Sequence, residues 1–178
     1  MAGTVITFFS YKGGVGRSFT LANVAVLLAR WGYRVLCVDW DLEAPGLREY
    51  FRPQLGSQIP AGGVVDLIDD FRAGTVQPDR HVLRVRLDDT PGTLHFLPAG
   101  ADRPGYVSQV QGIDWEGLYD DDFGEYLERC RESWTENYDY VLLDSRTGIS
   151  DIGGICTAHL PDLLVVLYTA NIDRKSVV

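Results

Sequence analysis

Four short apolar runs occur along the chain, separated by longer amphipathic or polar stretches. Each run is continuous rather than alternating, which is typical of parallel strands whose sheet is covered by helices on both faces. The runs lie at residues 5–9, 35–39, 140–144 and 163–168. The pattern therefore predicts four buried parallel strands.

Helical periodicity appears between these runs, at residues 18–31, 63–72 and 123–134. The first of these segments is followed by Gly32, a residue type that often ends a helix. Two more short strands are predicted at 82–87 and 94–97, with a polar turn between them.

The alternation of strands and helices predicts an α/β fold with a doubly wound, mostly parallel sheet flanked by helices. Residues 1–178 are predicted to form a single domain. The chain stops just after its last predicted strand, without a closing helix, so we expect it to be the N-terminal part of a longer chain and truncated at the C-terminus.

Composition narrows the functional classes. The 178 residues are 46% hydrophobic and 23% charged, which is ordinary for a soluble globular protein. No apolar run approaches a membrane span, and no signal peptide is recognisable, so a cytoplasmic location is predicted. The net charge of −9, without a cluster of Lys and Arg, makes nucleic-acid binding unexpected. The cysteines, Cys37, Cys130 and Cys156, have no metal-ligand spacing and are interpreted as buried free thiols.

A glycine-rich segment, KGGVGRS at 12–18, lies directly between the first predicted strand and the first predicted helix. Backbone N–H groups and the helix dipole favour an anion at such a position. Gly13, Gly14 and Gly16 would let the backbone approach phosphate closely and adopt positive φ. The segment predicts a phosphate-binding loop; a tight glycine turn without a ligand is the alternative.

Carboxylates lie at the carboxyl ends of two predicted strands, Asp39 and Asp41 at one and Asp144 at another. Ligands of an open α/β sheet bind at this carboxyl edge. Asp39 and Asp41 are two residues apart, so we expect them to point the same way. Asp41 as a simple loop acid and Asp144 as a turn cap are the alternatives, and Ser18 is compatible with both an N-cap and a metal ligand.

The usual phosphate loop, G-x-x-x-x-G-K-[ST], is broken twice, by Tyr11 and by Arg17. The segment instead resembles the deviant Walker A loop of the MinD/ParA family, x-K-G-G-x-G-K-[ST], and most closely its KGGVGR variant. Asp39-Trp40-Asp41 resembles the switch I element of that family. Residues 142–148, ending in Gly148, resemble its Walker B aspartate with switch II, and 161–166 resemble the following strand. The resemblance covers roughly residues 4–50 and 138–170.

The resemblance implies a P-loop NTPase fold of the SIMIBI type that binds ATP and Mg²⁺. It implies catalytic roles for Lys12, which reaches the phosphates across a homodimer interface, and for Asp41, which positions the attacking water. Ser18, Asp39 and Asp144 are the implied metal site. The nucleotide contacts implied are Lys12, Gly13, Gly14, Val15, Gly16, Arg17, Ser18 and Phe19.

Arg17 decides how far this resemblance extends. Arginine keeps the positive charge of lysine but carries it on a longer, planar guanidinium group. Because phosphoryl transfer depends on the exact position of this charge, we expect nucleotide binding to survive better than hydrolysis. Arg146 is a second departure and is compatible with a phosphate contact, a partner contact or a surface position.

The preferred hypothesis is an ATP-binding switch with slow hydrolysis and nucleotide-dependent dimerisation. The alternative is a non-hydrolysing nucleotide-sensing scaffold within a larger signalling or defence protein. The sequence leaves open ATP against GTP, and any effector domain or partner protein beyond Val178.

Overall fold

A six-stranded sheet forms the centre of the computed structural model, which describes residues 2–101, 103–147 and 154–170. The six strands are β1 (Thr4–Ser10), β2 (Arg34–Asp39), β3 (Leu83–Val85), β4 (Thr93–Leu97), β5 (Tyr140–Asp144) and β6 (Leu163–Leu167). They follow the order β3-β4-β2-β5-β1-β6, and β3 is the antiparallel edge strand. The other five strands are parallel.

Helices connect the strands and cover both faces of the sheet. The described helices are α1 (Arg17–Arg30), α2 (Leu47–Leu55), α3 (Val64–Arg72), α4 (Tyr106–Gln111), α5 (Trp115–Asp120) and α6 (Phe123–Asn137), with a short π-helix at Ile155–His159. Gly32 follows α1 with φ of 98°, which confirms its predicted role in ending this helix.

Two hydrophobic cores lie on opposite faces of the sheet. One packs α1 and α2 against the strands through Leu21, Ala25 and Phe51. The other packs α3 and α6 through Ile68 and Trp134, among other residues. Because helices cover both faces, the predicted doubly wound α/β fold is confirmed. Cys37, Cys130 and Cys156 are buried and free, as predicted.

The strand β6 differs from its prediction. It pairs in parallel with β1, as expected, but Leu163, Leu164, Val165 and Val166 are 37–57% exposed rather than buried. The continuous apolar run signals a strand with two covered faces, whereas the described residues leave the faces of β6 largely uncovered and place only β1 beside it. The apolar pattern therefore identified the strand but not its exposure.

Three α-helices, α2, α4 and α5, and the π-helix at Ile155–His159 were not predicted. Pro53 lies inside α2, and a proline within a segment argues against a helix there. The helices α4 and α5 have six residues each, too short for a clear periodic pattern. Of the helices in the described ranges, none is both long and apolar enough to span a membrane.

Candidate functional site

The glycine-rich loop joins the end of β1 to the start of α1. Gly14 and Gly16 have φ of 76° and 83°, so the prediction of positive φ is confirmed at these two positions. It is wrong at Gly13, which lies outside the left-handed region. Residues with a Cβ rarely adopt this conformation, so the backbone itself selects glycine at 14 and 16.

Helix α1 begins without a cap. Its N-cap residue, Gly16, has no side chain to accept a hydrogen bond, and the first turn carries no acidic residue. The first N–H groups of a helix need acceptors, and the helix dipole adds partial positive charge at this end. The start of α1 is therefore open to an anion from outside the helix.

A cleft of about 380 Å³ lies over this helix start. Its wall is formed by the loop, by Asp41 and Ala44 after β2, and by Tyr50 on α2. The lining residues are Ser10, Gly13, Gly14, Val15, Gly16, Arg17, Ser18, Asp41, Ala44, Tyr50 and Thr147. Most of the predicted nucleotide contacts thus surround one cavity at the carboxyl edge of the sheet.

Arg17 is buried at the side of this cleft, with 7% of its side chain exposed. Its Nε donates to Asp144 Oδ1 at 2.5 Å, and its Nη2 donates to Asp41 Oδ2 at 2.9 Å. Burial by itself would lower the pKa of Arg17, but Asp144 and Asp41 outweigh burial and raise that pKa above its ordinary value. Arg17 is therefore a fixed positive charge between the ends of β2 and β5.

The Arg17 cluster leaves polar atoms unsatisfied. Arg17 Nη1 and Asp144 Oδ2 are buried and have no hydrogen-bond partner within the described ranges. Buried polar atoms of native proteins are nearly always paired, and an unpaired one costs about 1–3 kcal/mol. Arg17 lines the cleft, but Nη1 itself is closed to solvent, so an external acceptor satisfies this atom only after a small shift of the side chain.

Asp39 and Asp41 point to different places, although they were predicted to point the same way. Asp41 lines the loop cleft, whereas Asp39 lines a neighbouring cleft between α2 and the start of α4. The alternation of side chains holds only within a strand, and β2 ends at Asp39. The chain has already turned by the time it reaches Asp41.

Asp39 organises the loop that follows β2. Its two carboxylate oxygens accept hydrogen bonds from the backbone N–H groups of Asp41 and Leu47, at 3.3 and 3.2 Å. Burial, followed by the nearby charge of Asp144, raises the pKa of Asp39 well above its usual value. The contacts shown by the structure are therefore those of a side chain that shapes the loop carrying Asp41.

The predicted residues Lys12 and Phe19 do not line the cleft. Both are exposed, Lys12 on the loop and Phe19 in the first turn of α1. Phe19 packs edge-to-face against Tyr50, with ring centroids 6.1 Å apart, and the two rings are 57% and 45% exposed. The mouth of the cleft is consequently bordered by exposed aromatic surface.

Arg146, whose role the sequence left open, pairs with Glu43. Its Nη1 lies 2.6 Å from Glu43 Oε1, and both side chains are partly exposed. The contact joins the segment after β5 to the loop after β2. Gly148, the end of the predicted switch II, lies outside the described residues.

Sequence reasoning missed two tyrosines near the site. Tyr50 lines the cleft, and Tyr106 donates from its hydroxyl to the Leu42 carbonyl at 2.8 Å. Burial and then the charges of Asp39 and Asp41 raise the pKa of Tyr106, so the hydroxyl keeps its proton as a donor. The buried positions 47, 51 and 55 have helical spacing, which was the available signal for α2 and so for Tyr50.

The predicted magnesium site fits the observed arrangement only in part. Ser18 lies within hydrogen-bond reach of Asp144, as a shared metal site would require. However, Arg17 already occupies Asp144 Oδ1, and Asp39 uses both oxygens on backbone N–H groups. With Arg17 held at Asp144 Oδ1 and backbone N–H groups held at Asp39, the residues do not fit the Mg²⁺ site that was predicted from Ser18, Asp39 and Asp144.

Comparisons with known proteins agree with this geometry. The chain is 31% identical to the sporulation initiation inhibitor protein Soj of Bacillus subtilis, over 80% of this chain and 49% of Soj. A MinC:MinD cell division protein complex of Aquifex aeolicus contains a chain with 28% identity and a TM-score of 0.62, covering 92% of this chain and 55% of that one.

The septum site-determining protein MinD of Pyrococcus horikoshii, complexed with Mg-ADP, has a TM-score of 0.61 at 23% identity, covering 93% of this chain and 57% of that one. The chain spans about half the length of the curated relatives it matches. Residues 6–172 match the family described as the CobQ/CobB/MinD/ParA nucleotide binding domain. The sheet order, the glycine loop at the start of α1 and this match together show that the chain belongs to the CobQ/CobB/MinD/ParA nucleotide-binding family.

Proposed function

We propose that the cleft over the start of α1 binds the phosphates of a nucleoside triphosphate, with ATP as the preferred nucleotide. The observation that carries this proposal is the buried Nη1 of Arg17, a charged donor without a partner at the side of the cleft. The uncapped start of α1 supplies further donors on the same side. Phosphate oxygens would supply the acceptors that Arg17 Nη1 and the N–H groups at the start of α1 lack.

The loop backbone supports the same ligand. A Cβ at Gly13, Gly14 or Gly16 would meet no atom within 4 Å among the described residues, so open space lies beside the loop. Anions bind well where successive backbone N–H groups face such a space. The Mg-ADP bound by the MinD of Pyrococcus horikoshii makes a nucleotide the natural candidate for this chain as well.

We further propose that nucleotide binding switches the conformation or the pairing of the chain, with slow hydrolysis as the reset. Asp41 accepts from Arg17 through Oδ2 and from the Ala44 N–H through Oδ1. A ligand that shifts Arg17 would carry Asp41 with it and so act directly on the loop after β2. The exposed Tyr11, Phe19 and Tyr50 beside the cleft offer apolar surface for a second copy.

The experiment compares two glycines at opposite ends of α1. Gly16 precedes the helix and Gly32 follows it; both have positive φ, and a Cβ at either position would lie more than 4 Å from every neighbouring atom of the described residues. Alanine costs about 1–2 kcal/mol of folding stability in this conformation at each position. We expect Gly16→Ala to weaken the binding of a fluorescent ATP analogue by about tenfold or more, because the backbone N–H groups of the loop would no longer point towards the phosphates.

Gly32→Ala is the matched control and should bind as tightly as wild type. Competition with unlabelled ATP and GTP reports the preferred base. Phosphate release and light scattering on the same samples, with Asp41→Ala as the hydrolysis control, report turnover and pairing. Equal binding by Gly16→Ala and wild type, or no saturable binding at all, would contradict the proposed site. Tight binding without phosphate release would favour the non-hydrolysing scaffold.

A further inference from the structure

Buried charge at the cleft is unbalanced. The carboxylates of Asp39, Asp41 and Asp144 are 1%, 7% and 0% exposed. Across the part of the chain that the structure describes, Arg17 is the only buried lysine or arginine. Buried carboxylates are costly unless a cation pairs with them, so this cluster depends on Arg17 for its positive charge.

Arg17 uses only two of its three nitrogens on these carboxylates. Nε contacts Asp144 and Nη2 contacts Asp41, which leaves Nη1 with two hydrogens and no partner in the described ranges. The guanidinium is planar, and its donors point in fixed directions. One group can therefore hold both carboxylates and still donate to a third acceptor.

The position of this cluster separates it from an ordinary buried ion pair. An orphaned atom also occurs at Asp70 Oδ2, in the pair of Asp70 with Arg80, so a missing partner alone does not mark a binding site. Here Nη1 and Asp144 Oδ2 are both unsatisfied, and Arg17 also forms part of the wall of an open cleft. The unsatisfied donor and the open cavity occur together at one residue.

We propose that Arg17 is the resident cation of this site and takes the place of a divalent metal, so that the chain binds the phosphates of a nucleotide without Mg²⁺. The inference rests on the proposed nucleotide binding. It adds that the nucleotide binds as a metal-free di- or triphosphate. Arg17 keeps Asp41 and Asp144 on its Nη2 and Nε and donates from Nη1 to a phosphate oxygen.

Arginine suits this role better than lysine does. An ammonium group is a compact point charge at the end of a flexible stem, whereas the guanidinium spreads its donors over a rigid fork. A second cation at Asp144 would lie beside the guanidinium and be repelled by it, since the contact between Nε and Oδ1 is only 2.5 Å. The geometry that binds Arg17 thus disfavours Mg²⁺.

The test measures the affinity of the wild-type chain for the fluorescent ATP analogue in excess EDTA and in excess MgCl₂. We expect the two dissociation constants to differ by less than about threefold. Arg17→Gln should bind at least about tenfold more weakly than wild type in EDTA and recover part of this loss in MgCl₂. Arg34→Gln, the same change at an exposed position, should behave as wild type does.

A second readout needs no nucleotide. Manganese added to the nucleotide-free wild-type chain should keep the electron paramagnetic resonance spectrum of the free ion, because Arg17 holds the carboxylates. Stoichiometric Mn²⁺ binding by wild type, or nucleotide binding strengthened about threefold or more by MgCl₂, would overturn the inference while leaving nucleotide binding intact. Absence of binding in both solutions would overturn the proposed function itself. These wild-type results decide the question even if Arg17→Gln does not fold.

Discussion

The neighbouring strands β2 and β5 are bridged by an arginine at both of their ends, but the two bridges are built differently. At the amino end, Arg34 begins β2 and pairs with Asp139, which precedes β5. At the carboxyl end, Arg17 reaches Asp144, the last residue of β5, and Asp41, which lies just beyond β2.

The amino-end bridge is exposed and well paired. The side chains of Arg34 and Asp139 are 51% and 36% exposed. Asp139 accepts from the Arg34 backbone N–H, Nε and Nη2, at 2.8, 3.3 and 2.8 Å. Exposed pairs add little stability because water and salt screen them. This ion pair therefore only connects the beginnings of β2 and β5.

The carboxyl-end bridge is buried and incompletely paired, so it costs desolvation free energy that an exposed pair between the same strands does not. The comparison shows that the need to join β2 to β5 does not explain Arg17, because an exposed pair does the same at the other end. Sites that bind ligands retain such unsatisfied groups, since the ligand completes them. The asymmetry between the two ends thus locates the functional edge of the sheet.

The largest expected effect on stability comes from Arg17→Gln. The change leaves the buried carboxylates of Asp41 and Asp144 without their cation, which should lower the free energy of unfolding by about 3 kcal/mol. Urea unfolding of the nucleotide-free chain, followed by circular dichroism, measures the loss. The matched control Arg34→Gln should shift the unfolding midpoint much less. Similar losses for the two variants would show that the two bridges are energetically alike.

The sequence predicted the parts of this site that depend on local signals. The order of β1, glycine loop and α1 follows from apolar runs and glycines close together in the chain. The meeting of Asp39 and Asp144 follows from strand ends in a parallel sheet, and the register indeed places these two residues opposite one another.

The contacts of Arg17 were not predictable in the same way. Its hydrogen bond to Asp144 joins residues 127 positions apart, and nothing local to the loop signals it. The sequence assigned Arg17 to phosphate because of its position in the motif, whereas the structure pairs it with two carboxylates. The different directions of Asp39 and Asp41 were also not predictable, because the strand ends at Asp39, as predicted, and the side-chain alternation of a strand says nothing about the loop that follows.

An intermediate effect is expected from Asp39→Asn and concerns pH. Burial holds the pKa of Asp39 well above its usual value, so the folded state binds this proton more tightly than the unfolded state does. The contribution of Asp39 to stability is therefore full below the ordinary pKa of about 3.9 and is lost as the pH rises through the higher folded value. Urea unfolding across this range should show wild type losing stability relative to the variant as the pH rises.

The size of the stability difference between wild type and Asp39→Asn at one pH is less informative than the change of this difference with pH. Asparagine has one acceptor oxygen where Asp39 uses two, so the variant loses one backbone hydrogen bond at every pH. That loss lowers the free energy of unfolding of the variant by the same amount at every pH and does not change its pH dependence. A difference between wild type and Asp39→Asn that stays constant with pH would mean that the two states bind the proton equally. Burial at this end of β2 would then carry no electrostatic cost.

The smallest effect, and one of opposite sign, is expected from Asp139→Asn at the other end of the strands. The Arg34 side chain, then its backbone N–H, lowers the pKa of Asp139. Its contribution is present above the ordinary pKa of about 3.9 and is lost as the pH falls through the lower folded value. Urea unfolding should show wild type slightly more stable than the variant near neutral pH, with the difference vanishing in acid. High salt should also reduce this difference, because the pair is exposed. A difference as large as that of Arg17→Gln, or one that survives both acid and salt, would remove the energetic distinction between the two ends of β2 and β5.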